Sequence, residues 1–466
     1  MDITPRTIRE APRPVSENTG GSFRPTQHRA VAGLGIVTLT LSLAACGGSS
    51  AEDVDVDPGE LSGSITYWAS NQGASVTEDE QVLSETIERF TEETGVEVEL
   101  EVIPWNDLQN RILTAVSSGD GPDVLNIGNT WATSMHATGA FMPWEGEALE
   151  AIGGEDQFLE ASWATGGPEG EAPTSLPLYA LSYSLYYNTQ IFEEAGIEEP
   201  PASWEEFVEV AEDLTQDTDG DGSTDQWGFT IAGASISNNA HAAFIRGLQN
   251  GGELYDGSGE PDFTNDEVVT GVHEWVSLMS DSGVIAPSDA ELVNGAESVD
   301  QVASGDAAMV FDQAPGNVFN DRDFEDYAPA PMPMSDPDAT GLEATQSHVA
   351  GINISVFENS DNLDAAVAFA SHMTSEDEQA YLTQEFAALP VLEPVYDREE
   401  FQSEEIQLKQ EILEDHAEPM PLYPSESQME TVVGTAIRDL LAEAAQGADV
   451  TEEDVRDALS AAETQM

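Results

Sequence analysis

The chain has one cysteine, Cys46, and one lysine, Lys409, and only 13 basic residues stand against 90 acidic ones in 466. A lone thiol excludes an internal disulfide and any metal site built on several cysteines. The shortage of Lys and Arg leaves a formal net charge of −77. A field of that sign repels phosphate backbones and anionic lipid, so nucleic-acid binding is excluded. The sequence contains no G-x-x-x-x-G-K loop to hold nucleotide phosphates, and no G-x-S-x-G elbow or H-E-x-x-H helix for hydrolysis. What is present is a hydrophobic fraction of 40% with 7% aromatics, enough for a real core. The carboxylates read as a strongly hydrated surface suited to high salt, where the Debye length shrinks to a few Å.

The run Ala30–Ala45 (AVAGLGIVTLTLSLAA) is uncharged, follows Arg24, His28 and Arg29, and ends in small residues before Cys46. This is the layout of a secretory signal, and it falls short of the roughly 20 residues of a spanning helix. The stretch Leu43-Ala44-Ala45-Cys46-Gly47 resembles the lipobox of bacterial lipoproteins, which implies lipid chains on Cys46 and a protein tethered outside the cytoplasmic membrane. The competing reading, a lone cysteine buried in a core, leaves the signal-like segment unexplained. Residues 1–45 are therefore expected to be a lipoprotein signal peptide, exported without a twin-arginine motif, and 46–60 the lipidated Cys and an acidic linker.

Beyond the linker, Ser64–Ala69 (SITYWA) is β-rich, and Val82, Leu83, Ile87 and Phe90 then recur at helical spacing up to Gly95, placed as a C-cap. Val96–Ile103 (VEVELEVI) alternates apolar and acidic, the pattern of a strand with one wet face. A second helix opens at Pro104-Trp105, Asp123–Ile127 is a third strand, and Trp131–Thr138 a third helix. This alternation predicts an α/β lobe with a largely parallel sheet and ligands beyond the carboxyl ends of its strands.

The order of SITYWASN, ERFTEETG, VEVELEVIPW, SSGDGPDVLNIG and HATGAFMPWEG resembles the first lobe of the extracellular solute-binding proteins of ABC importers, in the sugar-binding branch that includes maltose-binding protein. The likeness continues through LPLYALSYSLYYNTQIFEEAGI, ASGDAAMVFDQAPG, HVAGINISVF and EPMPLYPSESQMETVVGTAIRDLLAEAAQG. It implies an α/β, two-lobed periplasmic-binding-protein-like fold with a hinge and an interlobe cleft. By that pattern lobe 1 takes 61–178 plus 346–393, and lobe 2, mostly helical, takes 179–345 plus 394–466. The resemblance also implies a monomer that captures a neutral saccharide and hands it to the permease subunits of an ABC importer, with no cofactor required and the membrane reached through the lipid anchor only.

A sugar site needs flat aromatic faces and short polar groups. Candidates on the expected cleft loops are Asn71 and Gln72 after the first strand, and Asn129, Thr130 and Trp131 after the third. Tyr179, Tyr183 and Tyr187 lie in and after the crossover. Asp312, Gln313 and Asn317 follow the strand Ala307–Phe311, and His348 and Gly351 flank the start of the strand Ile352–Phe357. Trp131 reads equally as a packing residue of its helix, while Trp204 and Trp227 read as core. Two family features are missing: Asp312-Gln313-Ala314-Pro315-Gly316 replaces a Gly-Pro-Trp platform, and Glu430-Thr431 replaces an aromatic pair in the late helix. Maltodextrin specificity is therefore not expected, and a different or smaller saccharide is.

Four alternatives have concrete signatures. Paired tyrosines such as Tyr186-Tyr187 serve ferric ions in some solute-binding proteins, but neighbours on a strand face opposite ways. A glycerol-phosphate ligand needs an Arg or Lys clamp, and Arg246 and Arg322 are the only basic residues between Arg111 and Arg398. A polyamine or metal ligand, or an exported glycosidase built on paired carboxylates, completes the set. Separately, Asp217, Asp219, Asp221, Ser223 and Asp225, with Gly222 at the sixth position, have calcium-loop spacing, although the twelfth position is Gly228 and not Glu. An acidic turn in an acid-rich chain accounts for the same pattern.

Overall fold

The computed structural model describes residues 54, 56–73 and 75–466; Cys46, the signal segment and the start of the linker lie outside them. Ten strands follow in chain order: β1 (Ser64–Ser70), β2 (Glu97–Ile103), β3 (Val124–Gly128), β4 (Leu176–Leu181), β5 (Ser184–Asn188), β6 (Met309–Asp312), β7 (Tyr327–Ala330), β8 (Ser347–His348), β9 (Ala350–Val356) and β10 (Ala417–Glu418). Five of them form one sheet in the order β2-β1-β3-β9-β4. Alternation fixes which side of β1 is buried: Ile65, Tyr67 and Ala69 are closed off from water, whereas Ser64 is exposed. The helix Val76–Thr94 covers that side. Its N-cap Ser75 accepts the Glu78 N–H, and Gly95 ends it at φ 76°, where a side chain would be strained. Phe90 and Tyr67 each meet the ring of Phe369 edge-on at 5.1 Å.

The sheet departs from the largely parallel expectation. β1 is parallel to β2 and β3, but β9 is antiparallel to both β3 and β4. The reason is its route: β9 starts beside Gly128 and Leu181, the carboxyl ends of β3 and β4, and so can only run back down the sheet.

The second lobe carries a three-stranded antiparallel sheet, β6-β5-β7, and a set of packed helices. The central pair is Ile236–Gln249 and Glu426–Ala444. They approach closely because Gly434 presents no side chain; a Cβ there would fall 2.0 Å from the Ile236 carbonyl oxygen. Chain crossings between the lobes are the Ser182-Tyr183 link from β4 to β5, the β8–β9 passage, and the segment before β10, which pairs in parallel with β8. Residues 394–413 meet both lobes: Val395, Tyr396, Phe401 and Leu413 are buried in the first core, as is Leu389, which a β-bridge ties to Ala180 of β4, while Glu405 accepts hydrogen bonds from Tyr186 of β5 at 3.0 Å and Tyr327 of β7 at 3.4 Å.

Candidate functional site

Between the lobes lies a cavity of about 220 Å³. The first lobe contributes Gln72 and Gly73 at the carboxyl end of β1; the second contributes Tyr183, Asn238, Gly295, Asp312, Gln313 and Asn317. Local chemistry sets these loops. Asp79 accepts from the Gln72 and Gly73 N–H groups and from the Asn71 side chain, folding the turn after β1 back onto its helix. Asp312 accepts the Ala314 N–H at 2.8 Å, which turns the chain at the end of β6. Burial raises the Asp312 carboxyl above its ordinary range, opposed by that backbone bond and by the buried Lys409 ammonium.

Behind Tyr183 lies a buried polar cluster. The Tyr183 hydroxyl meets His241 Nδ1 at 3.1 Å, and the His241 and His348 rings lie 4.0 Å apart. Burial holds both imidazoles neutral: His241 is pushed down to about 3, and His348 falls well below the ordinary range, through burial first and the neighbouring ring second. The 3.6 Å approach of His241 Nε2 to Glu430 is therefore not an ion pair. His348 Nδ1 is buried without a hydrogen-bond partner. From the opposite lobe Thr130 donates to Glu430 at 3.3 Å, so the late helix meets the loop after β3 across the cleft.

The expected site residues separate into groups. Gln72, Tyr183, Asp312, Gln313 and Asn317 line the cavity. Thr130, Trp131 and His348 join the neighbouring cluster around Glu430 and His241. Trp131 is also a packing residue, 4% exposed and stacked on Trp105 at 4.5 Å. Asn71 and Asn129 hold loops, the latter donating to the Val349 carbonyl at 2.7 Å. Tyr179 is buried against Phe386, Tyr187 packs on Phe192, and Gly351 sits where a Cβ would strike the Tyr179 carbonyl; none of these three lines the cavity. Asn238, His241 and Glu430 enter the site without having been singled out as ligands. For Asn238 and His241 the one signal was the polar start, Ser237-Asn238-Asn239, of their helix; for Glu430 it was the replacement of an aromatic pair in the late helix.

In the acidic loop, carboxylate oxygens of Asp217, Asp219 and Asp225 come within 4.8 Å of one another, and all three residues are exposed. Asp221 and Ser223 are not part of that group. Asp217 accepts the Gly220, Asp221 and Gly222 N–H groups, so the turn is held by its own backbone. Neither arginine expected to bear on a phosphate is free to do so. Arg246 is buried over the Trp204 ring at 3.8 Å and paired with Glu274, and Arg322 is paired with Asp300.

The profile of the bacterial extracellular solute-binding proteins matches residues 73–380, and the chain belongs to that family. Similar solved structures have the same two-lobed fold. The acarbose-binding GacH receptor of Streptomyces glaucescens superposes with a TM-score of 0.71 at 21% identity, over 87% of this chain and 98% of that one. A maltotriose-bound MalE domain from Bdellovibrio bacteriovorus gives 0.70 at 19%, over 86% and 99%. Among curated relatives, the diacetylchitobiose-binding protein DasA of Streptomyces coelicolor is 28% identical over 41% of this chain and 44% of its own. The mannitol-binding protein of Pseudomonas aeruginosa is 25% identical over 65% and 68%. The alignments with the first-matched curated relatives span about a third of those proteins' length. Among the described residues, no helix is long and apolar enough to cross a membrane.

Proposed function

We propose that this protein is a monomeric, extracytoplasmic receptor that captures a neutral saccharide between its lobes, without altering it, and delivers it to the permease of an ABC importer. The observation that carries the reading is the cavity between the lobes, whose polar lining is amide, phenol and carboxyl groups and includes no arginine; Arg246 and Arg322 are paired with Glu274 and Asp300. Such a lining matches hydroxyls and offers no phosphate clamp. The sugars and polyols bound by its relatives favour the same chemistry. Cys46 would anchor the mature protein to the outer face of the membrane.

A thermal-shift screen of mono- and oligosaccharides in high salt tests the ligand class, since a ligand at a hundred times its Kd adds about 2.7 kcal/mol. A midpoint moved by a peptide, polyamine or metal and by no carbohydrate would overturn the assignment. Turnover of a glycoside would restore the hydrolase. For the anchor, Cys46→Ala should release the protein into the medium, and retention at the cell surface would refute it. The calcium-loop reading requires that calcium raise the thermal midpoint and that Asp219→Asn abolish the rise; an identical response in the variant leaves only the acidic turn.

A further inference from the structure

The start of the late helix, Glu426–Ala444, docks directly on the first lobe. Ser134 Oγ donates to the Pro424 carbonyl at 3.0 Å and accepts the Ser427 N–H at 3.3 Å, and Thr130 Oγ1 donates to Glu430 at 3.3 Å. Among the described residues, Glu430 is the ionisable side chain of that seam bonded across it. It is 5% exposed and receives hydrogen bonds from Ser237 of its own lobe and from Thr130 and Trp131 of the other.

We propose that Glu430 is a proton-coupled latch of the cleft: closing the lobes buries it against Thr130 and Trp131, and closure therefore weakens as pH rises. The inference rests on the receptor reading only in taking the lobes to open and close, and it does not depend on which solute is bound.

The groups facing Glu430 settle its electrostatics. On the helix Ile236–Gln249, His241 is neutral and Ser237 is a hydroxyl; on its own helix, Glu426 one turn earlier is 1% exposed, its carboxyl raised well above the ordinary range by burial and then by Glu430; behind His241 stand the neutral His348 of β8 and the Tyr183 phenol. Among the described residues, the first lobe's partners of Glu430 are the uncharged Thr130 and Trp131. No cation faces the carboxylate. Burial, the largest cause, raises the Glu430 carboxyl above its ordinary 4.5, and three hydrogen bonds only oppose that rise. Opening admits water and returns the group toward 4.5. An acid whose pKa is higher closed than open takes up a proton on closing. Closure is then strongest below the open-state value and loses ground as pH climbs from there to the closed-state value.

Small-angle scattering of the ligand-free protein at about 1 M salt, where surface repulsion is screened, reads the closed-to-open ratio. It should fall as pH climbs from about 4.5, by at most about tenfold per unit, the limit for one proton. Glu430→Gln, neutral and isosteric, should stay compact across the range, with circular dichroism to verify its fold. Glu426→Gln should keep the dependence, since Glu430 retains its burial and its contact with Thr130. A radius of gyration unchanged with pH, or a Glu430→Gln protein that responds as the wild type does, overturns the proposal. Loss of the dependence in Glu426→Gln alone would move the latch to Glu426 and overturn it too. Because no sugar is added, a failed ligand screen leaves this test intact.

Discussion

At the scale of single residues, the site rests on polar side chains whose charge is set by burial. Tyr183 reaches the cavity and His241 at once, so Tyr183→Phe should weaken saccharide binding by about 1 kcal/mol, the net worth of one hydrogen bond, with little change in fold. Titration calorimetry with the sugar found by screening reads this directly, and an unchanged Kd would place the phenol outside the ligand's reach. Glu378 shows the opposite electrostatic case. Burial alone would raise its carboxyl, yet the Arg89 fork and the Thr86 hydroxyl hold it below the ordinary range. A carboxyl depressed in the folded state contributes stability above its unfolded pKa of about 4.5, lost as pH falls through the lower folded value. Glu378→Gln should therefore lower the thermal midpoint at neutral pH, and its deficit should shrink on acidification; a deficit constant with pH would mean that packing, not charge, is lost.

Elements carry the closure geometry, and helix contact is where it is most exposed to change. Gly434 lies one turn beyond Glu430, against Ile236. A methyl there must push the late helix off its neighbour, and overpacking of this kind costs about 1–3 kcal/mol. Gly434→Ala should therefore lower the melting temperature by several degrees and displace Glu430 from Thr130; a protein as stable as wild type would show that the two helices slide freely. At this scale the sequence is legible where a period is strict. VEVELEVI alternates because β2 has one wet face, and Gly95 ends its helix because φ must be positive there. What cannot be read is set by partners far along the chain. The reversal of β9 depends on which lobe the chain is leaving, and residues 394–413 meet partners from both. The site divides in the same way. Gln72, Asp312 and Gln313 sit at or just beyond the ends of strands, where ligands are expected, but His241 and Glu430 lie within long helices, where a polar residue ordinarily faces water. Tyr187 shares the strand parity of Tyr183 yet lies about 13 Å further along, in a different environment.

Across the whole molecule, the dominant fact is charge. Each described arginine is already paired with a carboxylate, and Lys409 is buried, so most of the described acids face water without a cationic neighbour. Two effects of salt then oppose each other. Raising it from about 0.1 to about 1 M shortens the Debye length from about 10 to about 3 Å, which removes repulsion between surface carboxylates spaced further apart than that. The same salt weakens the exposed ion pairs, but such pairs contribute at most about 1 kcal/mol each, and there are few of them. Repulsion among an excess of like charges is the larger quantity, so the thermal midpoint should climb with sodium chloride over this range. The steepest part should fall below about 1 M, where the Debye length changes most, and an uncharged osmolyte should not reproduce that part of the curve. A midpoint that is flat or falling with salt would mean that the acidic surface is not under electrostatic strain and that its carboxylates are compensated by some means other than screening.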